Sequence, residues 1–100
     1  MPRAKQKVQI TNRQGLHARP ASLFVQLANR FHSAIAVRKG REEVDGKSIM
    51  GLLMLALERG STVELSADGP DAKEAIEALV QFLTTDEEPQ GPMALGARRV

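Results

Sequence analysis

The amino-acid sequence predicts a small β-sheet covered on one face by helices, with the element order βαββαβα. Two observations support this class: four short segments alternate apolar and polar residues, and two longer segments carry apolar residues at helical spacing. The 100 residues make one domain with a core large enough to fold without cross-links. The chain has no cysteine, which excludes a disulfide framework and a thiolate metal site.

The first half of the chain predicts a strand, a helix and a hairpin. Alternation predicts the first strand over residues 7–11. Residues 18 to about 31 carry apolar side chains over a broad arc, which predicts a helix that is mostly buried against something flat. The hairpin joins a strand at 34–38 to a short polar strand at 42–44.

The second half predicts a short helix, a fourth strand and the clearest helix of the chain. The short helix covers residues 48 to about 57, with a predicted core face of Ile49, Leu52, Leu53 and Ala56. The strand covers 62–67, and a long amphipathic helix follows the breaker segment at 68–71. A helix crossover predicts parallel neighbouring strands. We expect a domain over 1–85 and a mobile tail over 86–100, where charge, Pro and Gly replace periodicity.

The segment Gly15-Leu16-His17-Ala18-Arg19-Pro20-Ala21 is a loop that runs into the first predicted helix. Pro20 suits the first helical turn, where a backbone N–H has no partner within the helix. His17 therefore precedes several unpaired N–H groups at the positive end of the helix dipole, and Arg19 follows two residues later. These groups suit a small anion such as phosphate, and neutral imidazole is also a nucleophile that can accept a phosphoryl group.

Two motifs of this sequence resemble the HPr family, the histidine-containing phosphocarriers of the bacterial sugar phosphotransferase system (PTS). The segment 15–21 resembles the active-site signature, and Lys47-Ser48-Ile49-Met50-Gly51 resembles the regulatory serine segment. The likeness covers roughly residues 5–85 in the order of motifs and elements. It implies an α+β fold, an open-faced β-sandwich with a four-stranded antiparallel sheet and three helices on one face.

The same resemblance implies a phosphocarrier rather than an enzyme with turnover of its own. His17 would accept a phosphoryl group from enzyme I, which is fed by phosphoenolpyruvate, and donate it to enzyme IIA-type acceptor proteins of the PTS. Arg19 would stabilise the phosphate, since its fork of donors matches phosphoryl oxygens better than a lysine does. The resemblance implies no cofactor and no metal.

Ser48 begins the short helix, and its position supports two interpretations. As an N-cap, it only completes the first helical turn. The resemblance instead implies the target of a dedicated kinase, HPr kinase/phosphorylase, with a transcriptional regulator as a further partner. A phosphate there would add about two negative charges, which a helix N-terminus tolerates.

Met50 and Met54 lie four residues apart and point away from the predicted core face of the short helix. Methionines in this arrangement form either an adaptable binding surface or partly buried gap-fillers. The resemblance implies that this helix and the first long helix dock onto enzyme I and the acceptors. The predicted partner contacts are therefore Met50, Met54, Leu53 and Ala21, with small side chains such as Ala21 leaving room for a partner's active site.

Charge and composition favour an acidic protein partner over nucleic acid. The formal charge is +2, the basic residues are scattered, and the aromatic residues are three Phe with no Tyr or Trp. The sequence shows no apolar run long enough for a signal peptide or a membrane span. We therefore expect a cytoplasmic monomer that contacts neither nucleic acid nor membrane.

Three alternative functions remain open from the sequence. The first is a nitrogen-type or regulatory HPr paralogue that controls transcription or metabolism without sugar transport. The second is a pure interaction module that acts through phosphorylated Ser48, although binding alone would not require the nucleophile His17. The third is a small RNA-binding domain, which the lack of stacking aromatics disfavours.

Overall fold

The computed structural model describes residues 2–12, 15–16 and 18–85, and its element order is the predicted βαββαβα. The tail predicted for residues 86–100 lies outside the described residues. The seven elements are β1 (Arg3–Gln9), α1 (Ala18–Ala28), β2 (Ala34–Lys39), β3 (Glu42–Asp45), α2 (Ile49–Met54), β4 (Thr62–Asp68) and α3 (Ala72–Leu83).

The four strands form one sheet in the order β1-β4-β2-β3, and every neighbouring pair is antiparallel. This confirms the antiparallel sheet that the family resemblance implied. The expectation of parallel neighbours is wrong, because β4 inserts between β1 and β2. Those two strands run in the same direction, but each pairs with β4 rather than with the other.

The strands present apolar residues to the helices on one face and polar residues on the other. Along β4, Val63, Leu65 and Ala67 are buried, and the residues between them are more exposed. Phe24 of α1 meets Phe82 of α3 edge to face, with ring centroids 5.9 Å apart. Such a pair adds about 0.5–1.5 kcal/mol beyond the burial of its area, so it helps to fix the two long helices against each other.

The opposite face of the sheet carries charges of both signs. Arg38 Nη2 lies 3.1 Å from Glu64 Oε1, and Arg3 Nε lies 3.4 Å from Asp68 Oδ2. Because these pairs are partly exposed to water, each contributes less than about 1 kcal/mol. Among the residues that the structure describes, each helix is too short or too polar to cross a lipid bilayer.

Two elements differ from their predicted bounds where the side chains give a weak signal. The first strand begins at Arg3 rather than at residue 7, because its ladder with β4 continues through polar residues. It ends at Gln9, and the backbone of Ile10 instead bonds the turn before β4. The first helix ends at Ala28 rather than near Phe31, and the residues between them continue as turns.

The second helix, α2, ends early because the backbone turns left-handed. Its C-cap Leu55 is followed by Ala56, whose φ is 52°, a conformation that favours glycine. The ammonium group of Lys39 donates to the carbonyl oxygens of Leu55 and Ala56, at 3.3 Å each. This cation satisfies carbonyls that have no partner within the helix.

The predicted core face of α2 is only partly correct. Leu52 is fully buried, but Ile49 and Leu53 are 40% and 38% exposed, and Ala56 is exposed as well. The helix approaches β3 at Gly51, where an added Cβ would lie 2.9 Å from the Cβ of Val44. With the helix this close to the sheet at Gly51, the side chains of Ile49 and Leu53 turn outward.

A carboxylate ties the connection between α1 and β2 to the start of α3. Asp71 accepts hydrogen bonds from the Ser33 hydroxyl at 2.6 Å, the Ser33 N–H at 2.9 Å and the His32 N–H at 2.8 Å. The hydroxyl of Ser33, together with these backbone donors, lowers the pKa of Asp71 from 3.8 to about 2. The ionised carboxylate therefore stabilises the fold.

We predict that acid weakens this clamp. The folded-state pKa lies below the unfolded value, so the contribution is complete above pH 4 and is lost as the pH falls through about 2. Asp71→Asn should lower the thermal midpoint at pH 7 and flatten the fall in midpoint between pH 4 and pH 2. Glu77→Gln, at an exposed position of α3, serves as the control. Equal pH slopes for Asp71→Asn and the parent protein would contradict this account.

Candidate functional site

The chain on both sides of His17 is held in place, although His17 itself lies outside the described residues. On the N-terminal side, the N–H of buried Leu16 donates to the carbonyl oxygen of Leu57 at 2.8 Å. On the C-terminal side, α1 begins directly at Ala18. The described residues on both sides of position 17 therefore belong to an anchored loop and to the first turn of a helix.

The loop before His17 is packed against the backbone that leads into β4. Gly15 has a φ of +64°, and an added Cβ would lie 2.9 Å from both the Cα of Glu58 and the carbonyl oxygen of Leu57. Glycine is required here for two reasons: the left-handed backbone and the close approach of a second chain segment. The glycine of the motif therefore has a structural role that is separate from the chemistry predicted for the histidine.

The start of α1 supplies the other predicted phosphate-binding groups. Arg19 is exposed in the first turn, and Pro20 is buried in the same turn, where its missing N–H costs nothing. Ala21 is fully buried, with 0% of its surface exposed. The prediction that Ala21 contacts a partner is therefore wrong, since its methyl group packs in the core of the free protein.

Ser48 is the N-cap of α2. Its Oγ accepts a hydrogen bond from the N–H of Gly51 at 3.0 Å, and its backbone is extended. The neighbouring Lys47 directs its ammonium group to the carbonyl oxygen of Phe31 at 2.8 Å, beyond the C-terminal end of α1. Ser48 therefore lies where the start of α2 is tied to the turns that follow α1.

The exposed residues of α2 form one apolar surface, which we call the α2 patch: Ile49, Met50, Leu53 and Met54. Met50 is 68% exposed and Met54 is 75% exposed, so neither is a gap-filler of the core. The four residues of the α2 patch are the large hydrophobic residues that remain exposed in the described part of the chain. A contiguous exposed apolar surface of this kind is typical of a protein-binding site.

The α2 patch and the loop before His17 lie on connected parts of the molecule. Met54 precedes Leu57 by three residues, a span of at most about 11 Å, and Leu57 accepts the hydrogen bond from Leu16. The α1 and α2 helices also pack against each other. A partner seated on the α2 patch would therefore lie close to the loop segment that ends at Leu16.

Sequence reasoning missed several groups that hold this arrangement. Ile49 was assigned to the core but belongs to the α2 patch. The carbonyl oxygens of Leu57 and Leu83 fix the loop, because Thr11 and Asn12 both donate their N–H groups to Leu83. Backbone acceptors carry no signal of residue type, so no pattern could have identified them.

Within residues 2–12, 15–16 and 18–85, no group of three or more His, Asp or Glu side chains could bind a metal ion.

Comparison with known proteins agrees with this geometry. The family model PTS-HPr, described as the PTS HPr component phosphorylation site, matches residues 4–85. The HPr-like protein Crh of Halalkalibacterium halodurans is 49% identical over 79 residues, which cover 79% of this chain and 94% of that protein. The phosphocarrier protein HPr of Neisseria meningitidis is 47% identical over 79 residues, covering 79% and 89%.

A solved structure of a relative has the same fold. The phosphocarrier protein HPr of Bacillus anthracis superposes with a TM-score of 0.80 at 44% sequence identity, covering 83% of this chain and 99% of that one. The fold and the motifs thus match the class of PTS phosphocarrier proteins. The members of this class are carriers and not catalytic enzymes. This chain belongs to the HPr family.

The close contact at Gly15 leads to a testable prediction. Gly15→Ala should destabilise the protein more than Gly40→Ala does. Both glycines have positive φ values, +64° and +63°, but an added Cβ at Gly40 meets nothing within 4 Å. The control therefore measures conformational cost alone, and the clash at Gly15 should add about 1–3 kcal/mol. Urea unfolding measures the loss of unfolding free energy in both variants. Equal losses would contradict the close approach of Gly15 to the backbone of Leu57 and Glu58.

Proposed function

We propose that this protein is a phosphocarrier that accepts a phosphoryl group on His17 from enzyme I and passes it to enzyme IIA-type acceptors of the PTS. The observation that carries the proposal is the placement of the motif 15–21: the loop before His17 is fixed, and α1 begins at the next residue. The phosphoryl group comes ultimately from phosphoenolpyruvate. The carrier is expected to act in the cytoplasm as a monomer.

The transfer exchanges one phosphorus bond for another. A ring nitrogen of neutral His17 attacks the phosphorus of phosphorylated enzyme I, a new N–P bond forms, and the bond to the donor breaks with its electron pair leaving on the donor. Helix N–H groups and the guanidinium of Arg19 stabilise the phosphoryl oxygens. The phosphoramidate that results stays reactive, so the group can move on to an acceptor.

The α2 patch is the surface that we propose for partner docking. Three of its members, Met50, Leu53 and Met54, were predicted as contacts from the sequence, and Ile49 joins them by its exposure. Flexible methionine side chains adapt to different partners, which suits a carrier that must bind both a donor and several acceptors.

Ser48 is the proposed regulatory phosphorylation site. A phosphate on its Oγ would place about two negative charges at the start of α2, directly beside Ile49 and Met50. The helix dipole tolerates this charge, so the fold survives. An acidic docking partner would be repelled, and transfer through His17 would slow. HPr kinase/phosphorylase and a transcriptional regulator are the partners that this regulation requires.

A regulatory paralogue is the second candidate function. It is favoured by the 49% identity to a protein named HPr-like protein Crh. In that role the chain would control transcription or metabolism without sugar transport. The presence of His17 and Arg19 in the motif supports the carrier, because binding alone would need neither residue.

Phosphorylation by enzyme I tests the proposed function. Incubation with phosphoenolpyruvate and enzyme I should add the mass of one phosphoryl group, and acid should remove it. His17→Ala should abolish the gain, while His32→Ala, at an exposed position outside the motif, should retain it. No gain under conditions that label a known carrier would reject the carrier and favour the regulatory paralogue.

A charge within the α2 patch tests the docking surface. Met50→Glu should raise the KM of enzyme I for this protein about 10-fold or more, which is the effect of losing a central interface contact. The kcat of the phosphoryl transfer should change little. The side chain is mostly exposed, so the urea midpoint should not change. Ala34→Glu introduces the same charge at an exposed position of β2 and is the control. An unchanged KM for Met50→Glu would remove this patch from the docking surface.

A further inference from the structure

Asn12 is a buried polar residue whose hydrogen bonding is incomplete. The residue is 8% exposed, and Asn12 and Ser33 are the buried polar residues of the described chain. The hydroxyl of Ser33 is paired with Asp71. The amide oxygen of Asn12, in contrast, has no partner among the described residues. A buried acceptor left in this state costs folding free energy.

The other half of the same amide holds the loop before His17. Nδ2 of Asn12 donates to the carbonyl oxygen of Gly15 at 3.3 Å, and the N–H of Gly15 donates to the carbonyl oxygen of Asn12 at the same distance. The two ends of the turn are therefore bonded to each other in both directions. The carbonyl of Gly15, two residues before His17, is directed inward by this contact.

The fold accounts for only half of this amide: Nδ2 pairs the carbonyl oxygen of Gly15, whereas the unpaired Oδ1 contributes nothing to the loop. The backbone N–H of Asn12 already donates to the carbonyl of Leu83, and the N–H of Leu16 donates to Leu57, so backbone bonds anchor the loop at both ends. A leucine has a similar volume and would remove the unpaired oxygen, although it would also leave the carbonyl oxygen of Gly15 without its side-chain donor. Unpaired buried polar groups that persist beside a reacting residue indicate a role in its chemistry.

We propose that Asn12 is a positioning residue for phosphoryl transfer, an inference that rests on the proposed function of His17. Its Nδ2–H group donates to the carbonyl oxygen of Gly15 and so fixes the direction of this carbonyl dipole two residues before His17. A carbonyl dipole turned toward a phosphoryl oxygen would repel it, whereas the N–H groups at the start of α1 attract it. Asn12 thus acts on the loop that carries the nucleophile, not on the phosphorus.

Two substitutions separate this role from a structural one. Asn12→Leu removes the unpaired oxygen but leaves the carbonyl oxygen of Gly15 without its side-chain donor, so its urea midpoint should fall by no more than that of the Val8→Ala control described below. Its kcat for phosphoryl acceptance from enzyme I should fall about 10- to 100-fold, since a small misplacement of a reacting group has effects of this size. The KM of enzyme I for this variant should stay within about twofold of the value for the parent protein, because docking uses the α2 patch.

Asn12→Asp keeps the shape of the side chain and replaces the donor with a charged oxygen. Its carboxylate would repel the carbonyl of Gly15 and favour the protonated form of a nearby imidazole. The pH at which transfer reaches half its maximum rate should therefore be higher than in the parent. The control is Val8→Ala, which removes buried methyl groups from β1. It should lower stability without moving either the kcat or the pH profile.

The outcomes distinguish this inference from the proposed function. If the parent is phosphorylated and Asn12→Leu transfers at the parent's rate, Asn12 has no positioning role and the carrier assignment stands. If Val8→Ala, at a comparable loss of stability, lowers the transfer rate as much as Asn12→Leu does, the effect is structural and the inference is likewise overturned. If the parent itself is never labelled, the proposed function fails, and this inference fails with it.

Discussion

The insertion of β4 between β1 and β2 is the constraint on which the rest of the molecule depends. It places the segment that leads into β4 beside the end of β1, where the N–H of Ile10 donates to Ser61 and the N–H of Gly60 donates to Ile10. The same segment offers the carbonyl of Leu57 to Leu16. A pairing between strands far apart in sequence therefore positions Leu16, the last described residue of the loop before His17.

The α2 helix shows a different balance of forces. A helix of six residues is too short to be stable alone. It is held by burial of Leu52, by the Ser48 cap at one end and by the ammonium group of Lys39 at the other. With this anchoring, most of its large apolar side chains remain exposed. The protein thereby exposes an apolar surface without losing the helix that carries it.

The sequence predicted the order of elements and the two motifs, because both depend on local patterns of residue type. The start of β1 was missed, since Lys5 and Gln6 give no apolar alternation and only the pairing with β4 makes them a strand. The exposure of Ile49 was missed because tertiary packing decides the orientation of so short a helix. The contacts of Leu57 and Leu83 involve backbone oxygens, which every residue has. The roles of His17, Arg19 and Ser48 remain predictions from the sequence.

The carbonyl of Leu83 links the loop before the histidine to the last turn of α3, where Thr11 and Asn12 donate to it. A ribosome makes Thr11 early and Leu83 late, so the two cannot meet until most of the chain has been synthesised. The histidine thus leaves the ribosome long before its loop acquires this anchor. A chain that stops before Leu83 lacks this anchor, so the segment before residue 17 acquires its final geometry only after α3 has been made.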